Sequence, residues 1–375
     1  MPRIVLLTPT LDASGAEKQL TLLATRLPGA GFEPHVVTLT RGGPYERTLA
    51  DAGVPVTHLA KKYRVDPWAF GRLRGLLREL RPDVLHTWMF TANGYGRLAA
   101  TKGGPKVVVS ERCVDSWKGR LRRGLDRALI VRTDLLVGNS RPVADFYEQL
   151  GYDGAKVRVV PNAVEDPDDA SLTVEAKAAL RAELGLGDGP VIGTFGRLAA
   201  QKRVDELLWA MHLLKQVDPR VTLLVVGDGP ERARLERLAA GWEVTPRSRF
   251  LGHVDDAARL WPACDVAWLA SGFEGMSNSL MEAMAAGLPV VASDIPANRE
   301  LVEEGVTGRI VPLGDSVAFT KTTRRLLEDP AAAAALGTAA RARMRARYGV
   351  DAMAAAYAEI YREVLGGAQK PIATG

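Results

Sequence analysis

Cysteine is nearly absent: Cys113 and Cys264 are the only two in 375 residues. They lie far apart, and neither has a Cys or His at metal-ligand spacing. That excludes a disulfide framework and a zinc site, and leaves both as packing residues. Long apolar runs are missing too, because Arg, Lys, Asp or Pro interrupts each one before it reaches membrane-spanning length. Met1 to Thr8 is apolar, but Pro9 and Asp12 cut it short of a secretory signal, so it reads as a first strand in a cytoplasmic protein. Charge is only mildly unbalanced, with 49 Lys and Arg against 44 Asp and Glu and a formal net charge of +5. Such a surface favours anionic ligands, a nucleotide diphosphate or a lipid headgroup layer, and nucleic acid is not expected. With 47% apolar and 25% charged residues, the chain has material for two separate cores.

Short β-branched runs bounded by turn residues alternate with segments of helical apolar spacing, the signature of a parallel α/β sheet. In the first half the strands are expected at Arg3 to Thr8, Pro34 to Leu39, Val54 to Leu59, Asp83 to Thr87, Lys106 to Ser110, Leu135 to Asn139 and Val157 to Val160. Helices such as Glu17 to Leu27 and Trp68 to Leu80 separate them. The pattern stops near Pro161, giving a first domain over 1–164 and a linker over 165–189. Strands resume at Val191 to Gly196, Val221 to Gly227, Arg249 to Gly252, Val266 to Ala270, Pro289 to Ser293 and Arg309 to Val311, so a second domain spans 190–348. In the tail over 349–368, Met353, Tyr357, Ile360 and Tyr361 share one helical face that must pack on something. Gln369 to Gly375 read as disordered.

The second half holds the most informative chemistry. After the strand ending at Ala270 comes a loop with Glu274, then a helix opening at Ser277 or Asn278 and carrying Glu282. Free amides at that helix start would face the carboxyl edge of the sheet, where a diphosphate fits. The two carboxylates suit different hydroxyl groups of one nucleotide sugar. On spacing alone this reading stands even with a bland one, in which Glu274 answers the helix dipole and Glu282 is a surface residue. The loop after Val191 to Gly196 adds Arg197 and Lys202, two cations placed for a diphosphate whose charge rises as it leaves.

These residues resemble the retaining glycosyltransferases of family 4. The resemblance covers nearly the whole chain and rests on the E-x7-E pattern of Glu274 and Glu282 and the G-R-x4-K pattern of Gly196, Arg197 and Lys202. Val160-Pro161-Asn162, Phe250-Leu251-Gly252 and the run Gly287 to Asp294 match as well. The resemblance implies the GT-B fold, two Rossmann-like domains facing across a cleft, with the last helix crossing back to the first domain. It implies that Arg197 and Lys202 bind the donor diphosphate together with amides near Ser279 and Leu280. Glu282 would take the ribose hydroxyls, Glu274 the transferred sugar, and Leu251 to Val254 would border the base. A UDP-hexose or UDP-N-acetylhexosamine donor, a lipid-linked or polysaccharide acceptor and transfer without a metal ion follow from the same likeness.

In the first half, Ser14-Gly15-Ala16-Glu17 leaves the first strand and opens a helix, so Gly15 and Ala16 let backbone approach a phosphate. It is similar to the family's G-G-x-E loop, with Ser14 in place of the first glycine. His86 and Trp88 end the fourth strand at the same edge, where many relatives carry H-x-H, and Glu111 and Arg112 follow the next strand. These four are the candidate acceptor contacts, although His86 by itself reads as packing. The basic amphipathic run from Trp117 to Arg132 either rests on anionic lipid or turns its apolar stripe to the core. A nucleotide-sugar epimerase shares this architecture but needs further acid and base residues. An NAD enzyme would show G-x-G-x-x-G after the first strand, and a non-catalytic binding protein would have lost Arg197, Lys202 or the glutamates.

Overall fold

The computed structural model describes residues 1–114 and 119–366 as two compact units. The expected disorder of 369–375 and the first two residues of the Trp117 to Arg132 run lie outside the described residues. One unit comprises Met1–Ala163 together with the chain from Val350 onward, and the other comprises Val164–Gly349.

The first unit is built on a seven-stranded sheet of β1 (Arg3–Thr8), β2 (Glu33–Thr38), β3 (Val56–His58), β4 (Val84–Trp88), β5 (Lys106–Glu111), β6 (Leu135–Gly138) and β7 (Val157–Val159). The order is β3-β2-β1-β4-β5-β6-β7 and the pairings are parallel. Burial on both faces explains why β1 reads as a continuous apolar run rather than an alternating one; β4 is buried throughout as well, with His86 and Thr87 inside it. Helices α1 (Gly15–Arg26), α2 (Tyr45–Asp51), α3 (Pro67–Leu80), α4 (Met89–Ala99), α5 (Arg120–Leu129) and α6 (Arg141–Leu150) make the connections. One sheet face packs under α3 and α4 through Leu73, Leu77 and Ala92. The opposite face carries α1 and the last helix of the chain, through Leu20, Leu23, Met353, Tyr357 and Tyr361. The tail stripe expected to pack therefore does so, in the core of the first unit. A buried ion pair, Arg97 to Asp126 at 2.7 Å, ties α4 to α5, and Arg97 also donates to the Tyr152 hydroxyl.

The second unit has β8 (Val191–Phe195), β9 (Thr222–Val226), β10 (Ser248–Gly252), β11 (Val266–Leu269), β12 (Val290–Ser293) and β13 (Arg309–Val311), in the order β10-β9-β8-β11-β12-β13, again with parallel pairings. Its helices are α7 (Val174–Glu183), α8 (Val204–Lys215), α9 (Arg232–Gly241), α10 (Asn278–Ala285), α11 (Pro296–Leu301), α12 (Ser316–Glu328) and α13 (Pro330–Arg347), and α14 (Val350–Val364) is the helix that returns to the first unit. The segment 165–189, expected as a linker, is packed into the second unit. Lys177 and Arg181 of α7 both pair with Asp265, and Asp166 pairs with Arg341 and Arg345. Its Asp and Pro content reflects a helix cap and ion pairs rather than a free tether.

Candidate active site

In an open parallel sheet the ligand crevice opens at the carboxyl edge where the strand order reverses. In the second unit that point lies between β8 and β11, which continue in opposite directions across the sheet. The loop after β8 carries Arg197 and Lys202, and the loop after β11 carries Glu274. They meet there: Lys202 Nζ donates to Glu274 Oε1 at 2.6 Å, with both side chains mostly buried. The two loops are also joined through Gln201, whose side-chain amide donates to the Phe273 carbonyl at 2.6 Å and whose own carbonyl accepts from the Gly272 amide at 2.9 Å. Gln201 was not singled out from sequence, because nothing in its spacing marks it.

Two glycines set this geometry. Gly196 has φ 142°, and a Cβ on it would lie 3.6 Å from Lys202 Cε, so the lysine stem crosses directly over the turn. Gly227, with φ 130°, passes so close that a Cβ there would sit 2.0 Å from the Gly196 carbonyl oxygen. Backbone conformation disfavours a side chain at both positions, and at Gly227 space excludes one as well. The Gly227 amide in turn donates to the Gly252 carbonyl at 2.7 Å, holding the end of β10 with half-buried Leu251 and Val254 beside it.

Arg197 is exposed, and among the described residues its guanidinium makes no hydrogen bond or ion pair. A free cation therefore stands next to a paired one. Ser277 caps α10, its Oγ accepting from the Leu280 amide at 3.4 Å, and it also contacts Ser279 Oγ. Of the two amides expected to meet phosphate, Leu280's is thus already capped in this structure, while Ser279 lies closer to the helix tip. Glu282 is half-buried on the second turn of α10. Asp166-Pro167-Asp168 has the Asp-x-Asp spacing; its carboxylates accept from Arg345 and from the Ala170 amide. Among the described residues no group of three or more His, Cys, Asp or Glu is placed to hold a metal ion.

In the first unit the strand order reverses between β1 and β4. Exposed Gly15 and half-buried Ala16 lead from β1 into α1. Glu17 holds this turn: its buried carboxylate accepts from Thr10 Oγ1 at 2.9 Å and from Ser14 Oγ, and burial pushes its pKa up.

The four candidate acceptor residues form an internal cluster. His86 is fully buried, with Nδ1 2.6 Å from the Tyr361 hydroxyl and Nε2 2.8 Å from Ser110 Oγ. Trp88 is buried under the Arg112 guanidinium, 4.6 Å from its ring centre. Arg112 also donates to the Tyr357 hydroxyl and to Asn162 Oδ1, and buried Glu111 accepts from Asn93 at 2.9 Å. As placed, His86, Trp88 and Glu111 anchor α14 and α4 rather than line an open surface; Arg112 alone keeps partial exposure. Burial, with Arg112 nearby, holds the His86 pKa well below the ordinary histidine value. The ring therefore stays neutral in the fold and takes a proton on unfolding. Stability should be complete above the unfolded pKa near 6.5 and fall as pH drops below it, by at most about 1.4 kcal/mol per pH unit. Urea denaturation at about pH 7.5 and about pH 5.5 reads this, with a smaller loss expected in His86→Gln.

Residues 13–166 match Glycosyltransferase Family 4, and residues 189–329 match Glycosyl transferases group 1. A glycogen synthase of Mycobacterium tuberculosis is 33% identical over 310 residues, covering 79% of this chain and 72% of that enzyme. The chain belongs to glycosyltransferase family 4. A 2-deoxystreptamine glucosyltransferase of Streptomyces kanamyceticus is also 33% identical, over 222 residues, or 58% of this chain; the match spans little more than half, 57%, of that relative. The solved Anabaena Alr3699/HepE in complex with UDP and glucose superposes with a TM-score of 0.86 over 95% of this chain and 98% of its own, at 23% identity. This likeness establishes the GT-B fold for the family 4 chain, with one Rossmann-like domain in each unit.

Proposed function

We propose that this glycosyltransferase is a retaining, metal-independent enzyme that moves a hexose or N-acetylhexosamine from a UDP-sugar, held by the second unit, to a lipid-linked or polysaccharide acceptor bound by the first. The observation that carries the reading is the Lys202–Glu274 pair beside the free guanidinium of Arg197 at the β8/β11 switch point. A diphosphate entering there competes with Glu274 for Lys202, and the carboxylate it releases becomes an acceptor for a hydroxyl of the donor sugar. Glu282, on the second turn of α10, would take the ribose hydroxyls. As the anomeric carbon–phosphate oxygen bond breaks, negative charge grows on the diphosphate, opposite Arg197, Lys202 and the α10 start. These groups would do electrostatically what a divalent ion does elsewhere. The acceptor oxygen bonds the anomeric carbon on the face the phosphate leaves, and the acceptor proton passes to the departing phosphate oxygen. UDP is favoured by the complex that the structural neighbour forms.

The test is product stereochemistry, read by proton NMR of the new glycosidic linkage. The expected product keeps the anomeric configuration of the donor. An inverted linkage would overturn the retaining reading.

A further inference from the structure

The positive charge of the chain is concentrated in one stretch. Residues 59–132 contain 17 Lys and Arg but only six Asp and Glu, a net +11 within a chain whose total is +5, so the remainder is net acidic. Three of the six acids, Asp66, Glu111 and Asp126, and one of the cations, Arg97, are buried, the last paired with Asp126. Within this stretch β4 and β5 alternate with α3, α4 and α5, and α3 packs on α4 and α4 on α5. Because each of these helices follows a parallel strand, all three begin at the sheet's carboxyl edge and form one rim.

Large apolar side chains stand exposed along that rim. In the turn leading into α3, Tyr63 is 67%, Val65 78% and Trp68 77% exposed. On the α5 side, Leu121 is 91% and Leu125 43% exposed, so these leucines face outward rather than toward the core. The α3 turn is not a loose tip. Asp66 accepts from the Lys62 amide at 2.9 Å and the Ala69 amide at 3.0 Å, and its own amide donates to the Tyr95 hydroxyl at 2.8 Å. Arg72 Nε donates to the Leu59 carbonyl at 2.8 Å. These bonds hold Tyr63, Val65 and Trp68 in water, where exposed apolar groups gain nothing for the fold. Lys62 and Arg64 are exposed among them.

We propose that this rim is a docking surface for an anionic phospholipid bilayer. Tyr63 and Trp68 have the amphipathic rings that settle at the headgroup layer, and Val65 and Leu121 reach below it. Lys62, Arg64 and Arg120 meet lipid phosphates, each adding attraction that falls with salt. Aromatic and aliphatic side chains between cations fit a lipid interface better than a purely polyanionic partner, which would leave them in water. The docking surface goes beyond the donor site and does not depend on the transfer chemistry.

Full-length protein is sedimented with vesicles of phosphatidylcholine alone, and of phosphatidylcholine with about 30% phosphatidylglycerol. Binding is expected to the anionic vesicles only, and to weaken between about 0.05 and 0.3 M salt. Tyr63→Ser/Trp68→Ser and Lys62→Glu/Arg64→Glu should each lower partitioning about tenfold or more. All four side chains are exposed, and an unchanged thermal midpoint confirms that the variants fold. Lys202→Ala, which strikes the donor site, should bind vesicles like the parent, so failure of the donor reading and failure of this one are separable. Equal partitioning of parent and double variants, or no vesicle binding at all, would overturn the proposal. So would a lipid-free, concentration-dependent dimer abolished by Tyr63→Ser/Trp68→Ser, since the rim would then be a self-association face.

Discussion

Glu274→Gln is expected to lower sugar transfer at least about 100-fold while changing nucleotide diphosphate affinity less than about threefold. Gln keeps the size of the side chain and can still accept from Lys202, so the loops after β8 and β11 stay joined. It loses the charge that a carboxylate brings to a donor-sugar hydroxyl and to the electron-poor anomeric carbon of the transition state. A steady-state assay with a separate calorimetric titration reads the two quantities independently. Near-normal turnover would remove Glu274 from the chemistry.

Lys202→Ala should act on the other side of the same pair. UDP affinity is expected to fall about 10- to 100-fold, because a partly buried ammonium bonded to phosphate oxygen is worth about 1.4 to 2.7 kcal/mol. The variant also leaves the mostly buried Glu274 carboxylate without the cation that lies 2.6 Å away in the parent. A stability loss should therefore accompany the affinity loss, and Lys202→Ala/Glu274→Ala should restore stability but not affinity. That split distinguishes a ligand-binding lysine from a merely structural one. Unchanged UDP affinity in Lys202→Ala would contradict the assignment.

Most of the fold was legible because parallel strands buried on both faces leave uninterrupted β-branched runs. All thirteen strands lie where those runs predict them, with ends shifted by one or two residues. The last helix was legible for a different reason: Met353, Tyr357, Ile360 and Tyr361 mark a buried face at helical spacing, and each is buried in the first core. Residues 165–189 misled because helix-capping Asp and ion-paired Asp have the same composition as a linker, and the partners Arg341 and Arg345 lie some 175 residues away. The motifs assigned Lys202 and Glu274 to one donor, but neither their ion pair nor the bonds of Gln201 were legible, since both depend on the approach of two loops. In the first half, His86 reads as packing by itself, and the structure buries it together with Trp88. The position of His86 and Trp88 at a strand end suggested a ligand surface, but Tyr357 and Tyr361, some 270 residues later in the chain, cover them. Likewise the helical spacing of Leu121 and Leu125 cannot show which side of α5 meets the core; the structure turns both outward.

The most direct test of the donor site is calorimetric titration of the protein with UDP, GDP and ADP in the presence of a chelator, repeated with Arg197→Ala. Selective binding of one nucleotide is expected, with UDP favoured, at an affinity the chelator does not change and Arg197→Ala sharply reduces. Binding of none of the three, or binding indifferent to Arg197, would contradict it.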